Sequence, residues 1–210
     1  MTKFRGTFIT FEGSEGSGKS TQIALLEKYL HKRGFSVLFL REPGGVKVSE
    51  QIRKILLDPQ NRMMGKECET LLYMAARAQL VSEQIEPALR AGKIILCDRF
   101  LDSTVVYQGY GCGVDIAWIK KLGEFATKGI VPDLTISFDI AVKRGLARIK
   151  NRPKDRIEQR QLSYHDRVRR GYLNLARKEP SRIKLISANQ SKEEIQILVQ
   201  KHVNQLLHLK

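Results

Sequence analysis

Thr7-Phe8-Ile9-Thr10-Phe11-Glu12-Gly13-Ser14-Glu15-Gly16-Ser17-Gly18-Lys19-Ser20-Thr21 decides the fold. An apolar, β-branched run enters a glycine-rich turn, the turn closes on Gly-Lys-Ser, and a helical pattern follows at once. The spacing is G-x-x-x-x-G-K-[ST], with Gly13, Gly18, Lys19 and Ser20 at the fixed places. Glycines let the backbone curl so that successive N–H groups of Gly13, Ser14, Glu15, Gly16, Ser17 and Gly18 point inward at phosphate oxygens. The helix beginning near Lys19, through Ser20 and Thr21, adds its positive end. Lys19 is placed to reach the β- and γ-phosphates of a nucleotide, and the Ser20 hydroxyl to ligate magnesium. A chance match is disfavoured because strand, loop and helix occur in the required order.

Outward from this stretch, the strand-like runs are 7–11, 35–40, 93–97, 134–138 and 182–186. All are short and rich in Ile, Val, Leu and Phe, as strands buried on both faces are. Helical patterns fit between them at roughly 19–32, 48–57, 66–86, 115–128, 141–150, 158–178 and 192–207. Gly34, Gly92 and Gly129 stand where helices should stop. Pro87 is expected to break or kink the third helix, with 88–91 a short continuation. Such alternation means an α/β fold with a five-stranded parallel sheet flanked by helices. No repeat, low-complexity tract or linker divides the chain, so residues 1–210 are expected to form a single domain.

Apolar residues make up 42% and charged residues 28%, an ordinary globular balance. Cys68, Cys97 and Cys112 are an odd, scattered set that fits a reducing compartment better than a disulfide framework. The four histidines form no metal-ligand spacing with each other or with the cysteines. There is no secretory apolar core and no run of membrane-spanning length, so the cytoplasm and no membrane are expected. The net charge of +15 suits nucleic acid, small polyanions or a solvated basic surface, and the phosphate loop favours the second.

Other stretches carry chemistry. The strand 94–98 ends in Asp98, a carboxylate position that lies beside a phosphate loop and helps to hold magnesium. Arg99 follows where hydrolytic ATPases place a glutamate, which suits a second phosphate group. Asp139, another strand-end acid, reads as structural. Arg41-Glu42-Pro43-Gly44-Gly45 follows the second strand; by composition alone it is a tight turn. Tyr73 and Arg77 share one face of the third helix, where a ring and a guanidinium could grip a planar base or simply pack in the core. Arg144, Arg148 and Arg152 are four apart, and the helix should end before Pro153, leaving Arg152 and Arg156 on a mobile loop. A charge run is most often a solvated face; here it is also a candidate closing lid.

In order, 11–20, 41–45, Ala75-Ala76-Arg77, Asp98-Arg99-Phe100, 103–109 and Pro132-Asp133-Leu134-Thr135 resemble the motifs of bacterial thymidylate kinases, over essentially the whole chain. The resemblance implies a P-loop fold with an arginine-rich lid at about 143–157, and transfer of the γ-phosphoryl of ATP to dTMP with Mg²⁺ for dTTP synthesis. By position it implies that Tyr73 stacks on thymine, that Arg77 and Gln108 read the base edge with Thr104 close by, and that Arg53 and Arg99 hold the dTMP phosphate. It further implies that Glu42 is on the substrate side and that Glu15 is near the sugar and the metal-bound phosphates. It leaves Ser20 and Asp98 for the metal, and Ser187-Ala188-Asn189-Gln190 near adenine. Gly16 stands where one subgroup carries an arginine, so the catalytic arginine is expected from Arg148, Arg152 or Arg156. A homodimer is implied, and no specific nucleic acid. A kinase for another nucleoside monophosphate and a nucleic-acid-binding P-loop ATPase are the alternatives; the stretch 41–45 speaks against the first, and Arg99 beside Asp98 against the second.

Overall fold

The structure is a computed structural model and describes residues 6–209. In chain order its elements are β1 (Thr7–Gly13), α1 (Lys19–Lys32), β2 (Val37–Arg41), α2 (Lys47–Leu57), α3 (Lys66–Leu80), α4 (Glu86–Arg90), β3 (Ile94–Asp98), α5 (Leu101–Thr104), α6 (Ile116–Thr127), β4 (Leu134–Asp139), α7 (Val142–Arg148), α8 (Leu162–Lys178), β5 (Ile183–Ser187) and α9 (Lys192–Leu206). Two π-helical segments, Val81–Ile85 and Val105–Gly111, follow α3 and α5 without a break.

The five strands form one parallel sheet in the order β2-β3-β1-β4-β5. Parallel strands need crossovers, and the helices that supply them cover both faces, so the strands have to be apolar throughout. Ile9 and Phe11 on one face of β1 pack with α1 and α9 through Leu26, Leu30, Ile195 and Val199. Phe8 on the other face packs with Leu80, Ile85, Leu89 and Phe100. The register aligns Phe11 with Asp98 and Gly13 with Phe138. It therefore delivers the glycine-rich turn beside the ends of both neighbouring strands.

Where Pro87 is expected to break or kink the third helix, regular α geometry stops at Leu80 and a short continuation follows. The π segment Val81–Ile85 leads straight into α4, with Pro87 in its first turn. A wider turn relieves the clash between the proline ring and the preceding turn, where a regular α-helix would have had to break. Two other sequence expectations are corrected. Helix α8 begins at Leu162, after the 158 expected. Asp155 Oδ1 accepts from the Ile157 and Glu158 N–H groups at 2.9 Å each, and this local turn competes with helix at that point. Residues 101–111, to which no helix is assigned from the sequence, are helical, although β-branched residues and glycines disfavour helix. Burial of Val105, Val106 and Tyr107 against α8 overrides propensity there.

Candidate active site

The loops at the carboxyl ends of β1, β2 and β3 open into a cleft of about 520 Å³. Its wall brings together Glu15 and Gly16–Thr21 of the glycine-rich turn, Glu42 and Arg53, Tyr73 and Arg77 of α3, Asp98 and Arg99, and Thr104 and Gln108. Arg148 and Arg152 close it on the side of the loop after α7. Residues from widely separated stretches thus meet at the place where open parallel sheets hold ligands.

At the anion end, Gly18 takes a left-handed conformation (φ 92°) as the N-cap of α1, so the positive end of that helix begins at the loop lining the cleft. Lys19 Nζ donates to the Gly13 carbonyl at 3.1 Å. Burial, with Arg99 adding to it, pulls the Lys19 ammonium down to about 8, against the pull of Asp98, Glu15 and Glu12. The Ser20 hydroxyl donates to Asp98 Oδ2 at 3.2 Å, while Asp98 Oδ1 is buried without a partner among the described residues. This pair fits a hard cation that takes its remaining oxygens from phosphates and water. Among the described residues no cluster of three or more His, Cys, Asp or Glu could hold a metal alone. Asp139, by contrast, is bound bidentately by Arg169 at 2.7 and 2.9 Å, the structural role expected of it.

Arg99 has φ 72°, a conformation disfavoured for residues with side chains. Its guanidinium donates to Ser103 Oγ at 3.2 Å and the Tyr172 hydroxyl at 3.1 Å, and lies 4.9 Å from the centre of the Tyr107 ring. Glu12, which sequence reasoning passed over, secures this turn. Its carboxyl accepts from Phe100 N at 2.8 Å, Ser103 Oγ at 2.6 Å and the Tyr172 hydroxyl at 2.8 Å. Burial, then Asp102, raises its pKa to about 7, against Arg99 and the bonds from Ser103 and Phe100. A buried acid inside the quoted strand was the available signal. Glu15 has the opposite balance. Burial would raise it, but His165, Arg99, Tyr107 and Lys19 hold it at about 2. Its Oε1 accepts from the Tyr107 hydroxyl at 2.6 Å.

On the far side of the cleft, Arg77 is 1% exposed. Its Nε donates to Glu42 Oε2 at 2.9 Å and its Nη2 to the Phe100 carbonyl at 3.0 Å. Glu42 Oε1 is buried without a partner among the described residues. Burial raises the Glu42 pKa against the pull of Arg77. Arg53 Nη1 donates to the Pro43 carbonyl at 2.8 Å, so the loop 41–45 bridges these two arginines. Gln108 Nε2 donates to Glu69 Oε1 at 2.7 Å.

The three lid arginines separate. Arg148 reaches the phosphate loop, donating to the Gly16 carbonyl at 3.1 Å and the Ala188 carbonyl at 3.2 Å. Arg152 pairs with Glu158 at the cleft wall. Arg156, expected on the mobile loop, is instead buried at 6% exposure and away from the cleft lining. Its Nε donates to the Leu56 carbonyl at 2.8 Å and its Nη2 lies 2.6 Å from Glu69 Oε2. The buried carboxylate holds it, so it is removed from the group of cleft-facing arginines. Gly16 has φ 68°, and a Cβ there would stand 2.2 Å from the Gly145 carbonyl oxygen. The loop position that carries an arginine in one subgroup has no room for a side chain here.

Comparison with known proteins agrees with this geometry. The thymidylate kinase family model matches residues 11–199. The thymidylate kinase of Symbiobacterium thermophilum is 48% identical over 200 residues, which are 95% of this chain and 94% of that protein. That of Halothermothrix orenii is 50% identical over 195 residues, 91% of this chain and 93% of that protein. The crystal structure of thymidylate kinase from Ehrlichia chaffeensis superposes with a TM-score of 0.77 at 33% identity, covering 94% of this chain and 98% of that one. Sequence motifs, strand order and whole-chain similarity converge, and the chain belongs to the thymidylate kinase family.

Proposed function

We propose that the protein transfers the γ-phosphoryl group of ATP to dTMP, giving ADP and dTDP. The observation that carries this reading is the single cleft that joins the phosphate loop and Asp98 to Arg53, Tyr73, Arg77, Arg99 and Gln108. An oxygen of the dTMP phosphate attacks the γ-phosphorus, and the bond from that phosphorus to the β-bridging oxygen breaks. The protein's part is positioning and charge neutralisation. Loop N–H groups and Lys19 hold the donor phosphates. Arg53 and Arg99 hold the acceptor phosphate in line. Tyr73 stacks on the thymine, and Arg77, Gln108 and Thr104 face its edge. Glu15 with Tyr107 lies at the sugar. Arg148 or Arg152 supplies the cationic help that Gly16 cannot. Ser20 and Asp98 hold Mg²⁺, which neutralises charge on the β- and γ-phosphates when bound.

The same reading places the enzyme in the cytoplasm and makes it a homodimer. In support of the dimer, Trp118 and Phe125 lie exposed on α6, with Val131 exposed just beyond it. No helix among the described residues is long and apolar enough to cross a membrane. The test is ADP formation from ATP and Mg²⁺ with each nucleoside monophosphate in turn. dTMP is expected to give the highest kcat/KM, and turnover that needs DNA or RNA in place of dTMP overturns the reading.

A further inference from the structure

Below the floor of the cleft lies a side-chain cluster with no place in the phosphoryl-transfer chemistry. Glu69, on α3 one turn before Tyr73, is fully buried. Its Oε2 lies 2.6 Å from Arg156 Nη2 and accepts from Arg160 Nη2 at 2.6 Å. Its Oε1 accepts from Gln108 Nε2 at 2.7 Å. Cys112 completes the group, its sulfur receiving Arg160 Nη1 at 2.7 Å. Glu69 itself is not part of the cleft lining, whereas Gln108 is.

We infer that Glu69 is a positioning residue for substrate specificity: it fixes the orientation of the Gln108 amide and so selects a 4-oxo pyrimidine over a 4-amino one. The inference rests on the reading that a thymine base occupies this end of the cleft. An amide has a donor end and an acceptor end, and either can face a ligand unless a neighbour decides. A carboxylate held by two guanidiniums only accepts. It therefore takes the NH₂ end of Gln108 and leaves the carbonyl Oε1 as that side chain's polar atom for the cleft. Arg77, fixed by Glu42 and the Phe100 carbonyl, can only donate. Thr104 Oγ1 is buried with no partner among the described residues, and a hydroxyl serves either way, so it does not discriminate. A fixed donor beside a fixed acceptor matches the 4-oxo group and N3–H of thymine. Cytosine presents the reverse, a 4-amino donor and a bare N3. A mismatched buried polar group is expensive, so the locked amide discriminates where a free one would flip. Arg156 and Arg160 act one step further out, by holding the carboxylate itself.

The test compares kcat/KM for dTMP, dUMP and dCMP in the wild type and in Glu69→Gln. An amide at position 69 can present either end to Gln108, so the lock is lost while volume is kept. The dTMP/dCMP ratio is expected to fall about tenfold or more. The dTMP/dUMP ratio is expected to stay, because uracil shows the same N3–H and 4-oxo group. Gln108→Leu should narrow the dTMP/dCMP ratio likewise, and the double variant should narrow it no further. An unchanged dTMP/dCMP ratio in folded Glu69→Gln overturns the inference, as does an equal fall in both ratios, which is general loosening. If Glu69→Gln does not fold, Glu69→Asp replaces it. That variant keeps the charge for the two arginines but withdraws the oxygen from Gln108, and the same selective fall is required of it. A wild type with no preference for dTMP over dCMP overturns the reading of the cleft itself; that failure is seen without any substitution.

Discussion

Lys19 and Glu12 illustrate what single residues do here. Lys19 is buried against the loop carbonyls and carries the charge that meets the donor phosphates. Lys19→Ala is expected to lower kcat by more than about a hundredfold while leaving the thermal transition close to that of the wild type. Turnover by the coupled ADP assay and a melting curve on the same sample check both halves. Glu12 acts on stability instead. Its folded pKa, about 7, exceeds the usual carboxylate value, so the folded state binds the proton more tightly than the unfolded state. Its contribution is present below the ordinary carboxylate range and is lost as pH rises through 7. The loss is about 3 kcal/mol over that window. Glu12→Gln keeps an acceptor for Phe100 N and cannot ionise. Stability measured by denaturant at pH 5 and at pH 8 should therefore fall less with pH in the variant than in the wild type. Equal slopes would remove Glu12 from the account of this turn.

At the scale of elements, α7 and the loop after it decide how the lid works. Gly145 and Gly16 bring α7 and the phosphate loop into backbone contact; a Cβ on Gly145 would stand 2.3 Å from the Glu15 carbonyl oxygen. Gly145→Ala is expected to push α7 off the loop, displace Arg148 and lower kcat at saturating ATP and dTMP. The arginines that follow should divide by location. Arg148→Ala or Arg152→Ala is expected to reduce kcat severely with a smaller change in either KM, since such a contact strengthens in the transition state. A supplied arginine in comparable transfers is worth roughly 10³–10⁵ in rate. Arg156→Ala should act on stability: it leaves Glu69 with Arg160 as its remaining cation, and breaking a buried pair costs about 3–5 kcal/mol. Saturation kinetics and melting of the three variants side by side check the division. Near-normal kcat in both Arg148→Ala and Arg152→Ala would leave the lid as a basic surface only.

For the whole molecule, the exposed apolar residues of α6 mark the face expected to be covered in a dimer. Phe125 is 83% exposed, and Trp118 and Val131 lie exposed near it in sequence. Sedimentation is expected to show a dimer, and Phe125→Glu to shift it toward monomer; a monomeric wild type at micromolar concentration removes the dimer. The parallel sheet and its helices were legible in the residues because buried strands and amphipathic helices leave local periodic signals. So was the phosphate loop, whose chemistry depends on fixed spacing. Tyr73 and Arg77 could be placed on one face of a helix by spacing, but whether that face met a ligand or the core could not be read from it. Tertiary structure alone decided what depends on distant partners. The fate of Arg156 turned on Glu69, which lies in another element and leaves no mark near position 156. The helix of residues 101–111 formed against its local propensity because α8 buries it. Gly16 could be read as a loop position without an arginine and Gly145 carried no signal; only their contact shows that a side chain is excluded from both. The orientation of Gln108 likewise comes from one buried carboxylate, since hydrogen-bond direction is a property of the pair and not of either residue in the chain.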